Sequence, residues 1–349
     1  VKATLLHAPG DIRVEDVPDA AILRPTDAVV RTTATCVCGS DLWGYRGVRP
    51  PDSPRRVGHE MIGVVEEIGG EVATVRPGDF VIIPFAMSDG TCVHCRNGIT
   101  TSCEHHAYWG SPDEFGLDVD AAQGEASRIP WADGTLVATP GQPAAELIPH
   151  LLTLTDVMAT GHHAAMSAGV TAGRTVAVVG DGAVGLCGVL AAARLGAERI
   201  IAMSRHADRQ QLARDFGATD IVPERGDDGA AVVKELLGGI GADCVLECVG
   251  TKESMDQAMA TVRPGGRVGF VGVPAGGPEL RVAQMFSNNI TVGGGIAPVR
   301  AYLPPLLADV LDGSLRPGAV FDLSVPLVEI AKGYEAMDER RSIKTIVIP

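Results

Sequence analysis

The sequence is poor in positive charge. Its 349 residues carry 29 lysines and arginines against 43 aspartates and glutamates, a formal net charge of −14. A deficit of that size argues against nucleic acid or an anionic membrane as the main partner. Long hydrophobic runs are missing as well, since no stretch reaches the roughly 18 apolar residues that a membrane helix needs. The opening residues, VKATLLHAPGDIRVEDVPDA, lack a basic segment followed by an apolar one, so neither a leader nor a membrane anchor is expected and the expected location is the cytoplasm. No internal repeat and no low-complexity segment is present. The eight cysteines, at positions 36, 38, 92, 95, 103, 187, 244 and 248, are unevenly spaced. In a reducing compartment such a set reads as metal-binding or catalytic, not as a disulfide framework. What is there is a globular composition, with 46% hydrophobic and 21% charged residues. At roughly 100–200 residues per domain, the length suggests two or three domains.

Two regions differ in pattern. Residues 1–155 read as irregular β structure, with β-rich runs at 28–33, 61–68 and 80–83 broken by glycine and proline. Residues 88–134 have little periodicity and are rich in Gly, Asp, Cys and His. A long loop of this kind is usually functional or held by something other than a core. From 156 to 290 the pattern alternates: strand 175–180, helix 183–195, strand 199–204, helix 207–216, strand 242–248, helix 252–262, strand 267–273. That alternation predicts a parallel α/β sheet with right-handed crossovers. The tail returns to mixed strand and helix and ends in a β-rich stretch at 344–349.

The first α/β unit carries Gly180-Asp181-Gly182-Ala183-Val184-Gly185 between a strand and a helix. Gly180 permits the tight turn, Gly182 lets the backbone approach a pyrophosphate, and Gly185 lets helix and strand pack closely. The helix N-terminus offers N–H groups to the phosphates. About 20 residues on, an NAD site presents Asp or Glu to the ribose hydroxyls. Here the strand tip reads Met203-Ser204-Arg205-His206, with Arg209 four residues beyond Arg205, and holds no carboxylate, although Asp208 is near. Arg205 offers a planar fork to a 2′-phosphate and Ser204 a hydroxyl, so NADP(H) is favoured over NAD(H).

Three further motifs carry metal chemistry. Cys38-Gly39-Ser40-Asp41 and Gly58-His59-Glu60 lie in the β-rich part, and Asp156-Val-Met-Ala-Thr160-Gly161-His162-His163 opens the α/β region. Taken alone, a single Cys or His is more often a core residue than a ligand. A catalytic zinc needs three protein ligands and an open fourth position, and Cys38, His59 and Asp156 would supply them.

With these motifs in this order, the chain resembles the zinc-dependent alcohol dehydrogenases of the medium-chain dehydrogenase/reductase superfamily, end to end. The resemblance implies an α/β protein with a GroES-like β-rich catalytic domain (1–156 and 291–349) and a Rossmann-type doubly wound parallel sheet domain (157–290). It implies catalytic zinc on Cys38, His59 and Asp156, with Glu60 able to exchange onto the metal. Ser40 is implied as the hydroxyl that relays the alcohol proton to the cofactor ribose. Thr160, Val184, Cys248 and Val249 are implied cofactor neighbours, while Cys36, Cys187, Cys244 and Cys248 fit no ligand spacing and read as buried thiols. Where the family often has an outer relay histidine, this chain has Trp43, which either walls the pocket or simply packs. Phe85 and Trp109 are weaker candidates for an apolar substrate wall.

The cysteine lobe departs from the family's four-cysteine pattern. In that register Asp89 stands where the first cysteine belongs, followed by Cys92, Cys95 and Cys103. A carboxylate is a legitimate zinc ligand, so a structural site of one aspartate and three cysteines is chemically sound. The alternative is a relic lobe without metal, and His94 and His105 are further candidate ligands. Two zinc ions per chain are therefore expected.

The leading reading is an NADP(H)-linked alcohol dehydrogenase or carbonyl reductase acting on a small alcohol, aldehyde or ketone. A polyol or sugar dehydrogenase shares the ligands. A zinc-free quinone or enoyl reductase lacks them, and a non-catalytic zinc- and nucleotide-binding protein is the reading from another class. By resemblance, strands near 290–295 form the edge used for a homodimer or homotetramer.

Overall fold

The computed structural model describes residues 1–48, 50–274, 277 and 279–349. The chain divides into two compact units, Val1–Asp156 with Pro298–Pro349, and Val157–Ala297. The second unit therefore keeps residues 291–297, which the sequence reading assigned to the first. The reason is the strand Thr291–Gly294, which pairs in parallel with Val262–Phe270.

In the first unit the central strand is Ala28–Cys36 (AVVRTTATC), buried along most of its length because both faces are covered. It pairs antiparallel with Met61–Ile68 on one side and with Ala126–Ile129 and Lys344–Ile348 on the other. Phe80–Ile83 and Val137–Ala138 extend the sheet beyond Met61–Ile68, and Phe321–Pro326 lies in parallel beside Lys344–Ile348. The strand Ala126–Ile129 lies in the stretch read from sequence as patternless. Four residues, three of them buried, are too few to show a period, and pairing rather than pattern fixes them. Val30, Met61, Val81, Ile83, Met87 and Ile129 lie in one core cluster. Leu6, Val37, Leu42, Ile330, Tyr334 and Val347 lie in another.

The second unit is a six-stranded parallel sheet. Its strands are β1 (Thr175–Val179), β2 (Arg199–Met203), β3 (Asp220–Val222), β4 (Ala242–Glu247), β5 (Val262–Phe270) and β6 (Thr291–Gly294). Their spatial order, 3-2-1-4-5-6, is the doubly wound nucleotide-binding order, with its switch point between β1 and β4. The run Thr175–Val179 (TVAVV), β-branched but for Ala177, suits a strand buried on both faces. β5 ends at Phe270, not at the expected 273. The Val271 N–H makes the last ladder bond, to the Glu247 carbonyl at 2.9 Å, and the Gly272 N–H turns back to that same carbonyl at 3.3 Å instead of pairing further along. No helix among the described residues is long and apolar enough to cross a membrane.

Candidate active site

The end of the central strand and the start of its antiparallel neighbour build the first cluster. Thr35 stands opposite Met61, and the Thr35 hydroxyl donates to the Glu60 carbonyl at 2.7 Å. This register sets Cys38 beside His59 and Glu60, and Asp156, just ahead of the helix Val157–Ser167, completes the group. One donor atom from each of Cys38, His59, Glu60 and Asp156 lies within 4.8 Å of the others. Asp156 Oδ2 is 3.7 Å from Cys38 Sγ and 3.4 Å from His59 Nε2.

A buried network orients these groups. Asp41 Oδ1 lies 3.2 Å from His59 Nδ1, which leaves Nε2 turned to the cluster. The other Asp41 oxygen accepts from the Cys38 N–H at 2.9 Å and from Gln123 Nε2 at 3.1 Å. Gln123 also donates to the Cys36 carbonyl and accepts the Tyr334 hydroxyl at 2.9 Å. A carboxylate behind the far nitrogen of a ligand histidine is how proteins fix that ring's tautomer and direction. Gly58 makes the close approach possible. It has φ +96°, and a Cβ there would stand 2.4 Å from Gln123 Cγ and 2.9 Å from its backbone nitrogen.

The donor chemistry fits a divalent cation. Burial raises the pKa of the Cys38 thiol and of the Glu60 carboxyl. Burial works against a charged His59, yet the charges of Asp41 and Cys38 and its hydrogen bonds to Asp156 and Asp41 outweigh this and draw it well above the usual histidine range. The set is thus short of positive charge. Glu60 Oε1 meets Lys344 Nζ at 2.6 Å, while Glu60 Oε2 is buried without a hydrogen-bond partner among the described residues.

The second cluster is the cysteine lobe. Donor atoms of Asp89, Cys92, Cys95 and Cys103 also lie within 4.8 Å of one another. His105 is not in this set, and its Nδ1 lies 2.9 Å from Asp89 Oδ2, behind the carboxylate. His94 is outside the set too. Burial pushes the Asp89 carboxyl up, but hydrogen bonds from Thr91, His105 and Cys92 hold it well below the ordinary carboxylate range.

In the second unit, Gly180 has φ +116°, and a Cβ there would meet Val249 Cγ2 at 2.8 Å, which places Val249 and Cys248 across the turn. A Cβ at Gly185 would fall 2.0 Å from the Gly180 carbonyl oxygen, so helix and strand meet with no room for a side chain. Gly182 caps the helix Ala183–Arg194, and a Cβ there would meet no atom within 4 Å, a cradle open to a phosphate. Val184 is half-buried in the first turn of that helix, and Thr160 is buried one turn into Val157–Ser167.

At the tip of β2, Arg205 is exposed and makes no hydrogen bond or ion pair with a described residue. Ser204 is buried, and its hydroxyl donates to Asp181 Oδ2 at 2.9 Å. Arg209 Nη1 reaches the Asp181 carbonyl at 3.2 Å and Oδ1 at 3.5 Å. The sequence reading found no carboxylate at this strand tip, and the fold delivers one from the glycine loop. One other expectation changes. Trp109 belongs to the apolar core of the first unit, with its indole N–H directed to the Pro84 carbonyl at 3.4 Å, and is a packing residue. Lys344, Gln123 and Tyr334 were missed; none lies near a recognisable motif.

The chain is similar to known zinc-type alcohol dehydrogenases. The family model described as alcohol dehydrogenase GroES-like domain matches residues 24–140, and that described as zinc-binding dehydrogenase matches residues 183–311. Zinc-type alcohol dehydrogenase B of Aspergillus flavus is 32% identical, over 99% of this chain and 81% of its own. Alcohol dehydrogenase TADH of Thermus sp. ATN1 superposes with a TM-score of 0.90 at 31% identity, covering 100% of this chain and 99% of that one. Zinc-dependent alcohol dehydrogenase 2 of Streptococcus pneumoniae gives 0.87 at 30% identity, over 99% and 98%. The chain belongs to the zinc-dependent alcohol dehydrogenase family of the medium-chain dehydrogenase/reductase superfamily. It is accordingly an oxidoreductase of zinc-type alcohol dehydrogenase character, a class that uses zinc and a nicotinamide cofactor on small-molecule alcohols.

Proposed function

We propose that the chain interconverts an alcohol and its aldehyde or ketone with NADP(H), using a catalytic zinc held by Cys38, His59 and Asp156. Glu60 is the carboxylate that exchanges onto that metal, and Asp89, Cys92, Cys95 and Cys103 hold a second, structural zinc. The observation that carries the reading is the convergence of two donor sets, each within 4.8 Å, in one chain. When bound, zinc polarises the substrate oxygen and the nicotinamide carries the hydride. Asp41 holds His59 by its outer nitrogen. Ser40 lies between Cys38 and Asp41 in sequence, and its hydroxyl makes no hydrogen bond with a described residue, which suits it to take and return the alcohol proton. Trp43 stands where a relay histidine would, so the relay runs from Ser40 to the ribose and water.

Arg205, exposed and unpaired among the described residues, supports the NADP(H) preference by offering a fork to the 2′-phosphate. Gly180, Gly182 and Gly185 form the phosphate turn, flanked by Thr160, Val184, Ser204, Arg209, Cys248 and Val249. Among the described residues β6 pairs only with β5, and Phe286 and Val282, which precede it in sequence, are 87% and 67% exposed, which supports a homodimer or homotetramer through this edge. All eight cysteines are free thiols, in keeping with a reducing cytoplasm.

Metal analysis of the purified protein beside NADPH and NADH titrations tests the reading. Two zinc ions per chain and tighter NADPH binding are expected, and Cys38→Ala is expected to lose one zinc and the activity. A Cys38→Ala protein with full zinc and full activity would refute the catalytic assignment.

A further inference from the structure

The residue between the first two glycines of a nucleotide turn is ordinarily a spacer. Here it is Asp181, and its side chain crosses to the tip of β2. Oδ2 accepts the Ser204 hydroxyl at 2.9 Å and Oδ1 stands 3.5 Å from Arg209 Nη1, with the two side chains only 11% and 12% exposed. Gln210 Nε2 donates to the Ser204 carbonyl at 2.8 Å, so the strand tip is held from its other side. A nearly buried carboxylate tied by a hydroxyl and a guanidinium is a fixed charge, not a mobile surface group.

The end of the second strand is where a dinucleotide fold reads the adenosine ribose. A carboxylate there accepts a 2′-hydroxyl and repels a 2′-phosphate. Each carboxylate oxygen has two lone-pair directions, so Asp181 retains acceptor capacity beyond its bond from Ser204. Arg205, by contrast, attracts a 2′-phosphate and gains nothing from a hydroxyl. The two charges therefore pull in opposite directions.

We propose that Asp181 is a specificity-determining residue that keeps NAD(H) usable beside NADP(H), by accepting the ribose 2′-hydroxyl and opposing Arg205 at the 2′-phosphate. This rests on the reading of the second unit as a nicotinamide-dinucleotide domain, but not on which cofactor the wild type prefers. The Arg209 guanidinium 3.5 Å from Asp181 offsets part of its charge, which makes the opposition graded and lets one site take both cofactors.

The test is direct binding of NADH and NADPH to wild type, Asp181→Asn, Asp181→Ser and Arg205→Ala proteins, read by nicotinamide fluorescence on the intact chain. The ratio of the two dissociation constants on one sample does not depend on the folded fraction, so a partly unfolded variant still reports. Both Asp181 variants are expected to bind NADH several-fold more weakly and to shift the ratio at least tenfold toward NADPH. Arg205→Ala is expected to shift it toward NADH. A ratio unchanged in both Asp181 variants overturns the inference, even if both affinities fall together. Wild type preferring NADH with no change in Arg205→Ala removes the Arg205 reading, while the Asp181 variants still decide this one.

Discussion

Lys344 Nζ lies 2.6 Å from Glu60 Oε1, across 284 residues of sequence, and neither side chain has more than 1% of its surface exposed. Lys344 also donates to the Val37 carbonyl at 3.2 Å. Removing one member of such a buried pair leaves the other charge uncompensated, at a cost of about 3–5 kcal/mol. Lys344→Met is therefore expected to lower the unfolding free energy by that amount, and the Lys344→Met/Glu60→Gln double variant to recover most of it. Equilibrium denaturation of wild type, Lys344→Met, Glu60→Gln and the double variant checks this, and a loss in the double variant equal to the sum of the two single losses would refute the coupling.

Gly58→Ala is expected to damage the cluster without touching a ligand. The new methyl enters at φ +96°, 2.4 Å from Gln123. Strain of this kind costs about 1–3 kcal/mol. Relief requires Gln123 to move away from Asp41, which loosens His59. Faster zinc loss to a chelator, together with a lowered melting temperature, is the expected result.

Asp89 makes the lobe's proposed metal site separable from the proposed catalytic one. Asp89→Ala is expected to bind one zinc fewer than wild type, and Asp89→Cys to retain the full number. Elemental analysis after dialysis distinguishes them. His105→Ala, which removes the group 2.9 Å behind the carboxylate, is expected to weaken zinc retention roughly 10-fold, within the 10–100-fold range of such supporting contacts.

Asp243 gives a pH dependence. Its Oδ2 accepts from the Thr175 N–H and hydroxyl, both at 2.9 Å, and Oδ1 from Arg263 Nε at 2.7 Å. Burial raises its carboxyl, but these three contacts outweigh burial and hold it below its ordinary value. A carboxylate depressed in the folded state stabilises above its unfolded pKa, about 3.9, and loses that contribution as pH falls through the folded value. Asp243→Asn is thus expected to melt lower than wild type at pH 6, with the gap closing below about pH 4. Parallel melting curves between pH 3 and pH 7 check it.

The local motifs were legible because their geometry is local. Gly180 and Gly185 are demanded by one turn, and Cys38, His59 and Asp156 each sit at the end of an element whose pattern is readable. The supports were not. Gln123 reaches Asp41 over 82 residues and Tyr334 reaches Gln123 over 211, and nothing in either neighbourhood marks the destination. Asp181 stood in plain view, but only the crossing of its side chain to Ser204 gives it a meaning. The strand Ala126–Ile129 was hidden by its brevity, and the boundary near 290 by a Gly-rich strand, Thr291–Gly294, that lacks an apolar signature.

The position of Lys344–Ile348 sets an order on biosynthesis. This strand fits between Ala28–Cys36 and Phe321–Pro326, with Ile346 and Val347 opposite Cys36 and Thr35. Every proposed zinc ligand has been synthesised by residue 156, and the nucleotide unit by residue 297. The first unit's sheet must nonetheless wait, with the Thr35–Cys36 end of its central strand open on the edge away from Met61, until residues 344–348 emerge. Domains fold as units during synthesis, so the inserted unit matures first and the enclosing one last. Through that interval Glu60 has no Lys344 beside it, and among the described residues His59 is the cationic side chain left to face it.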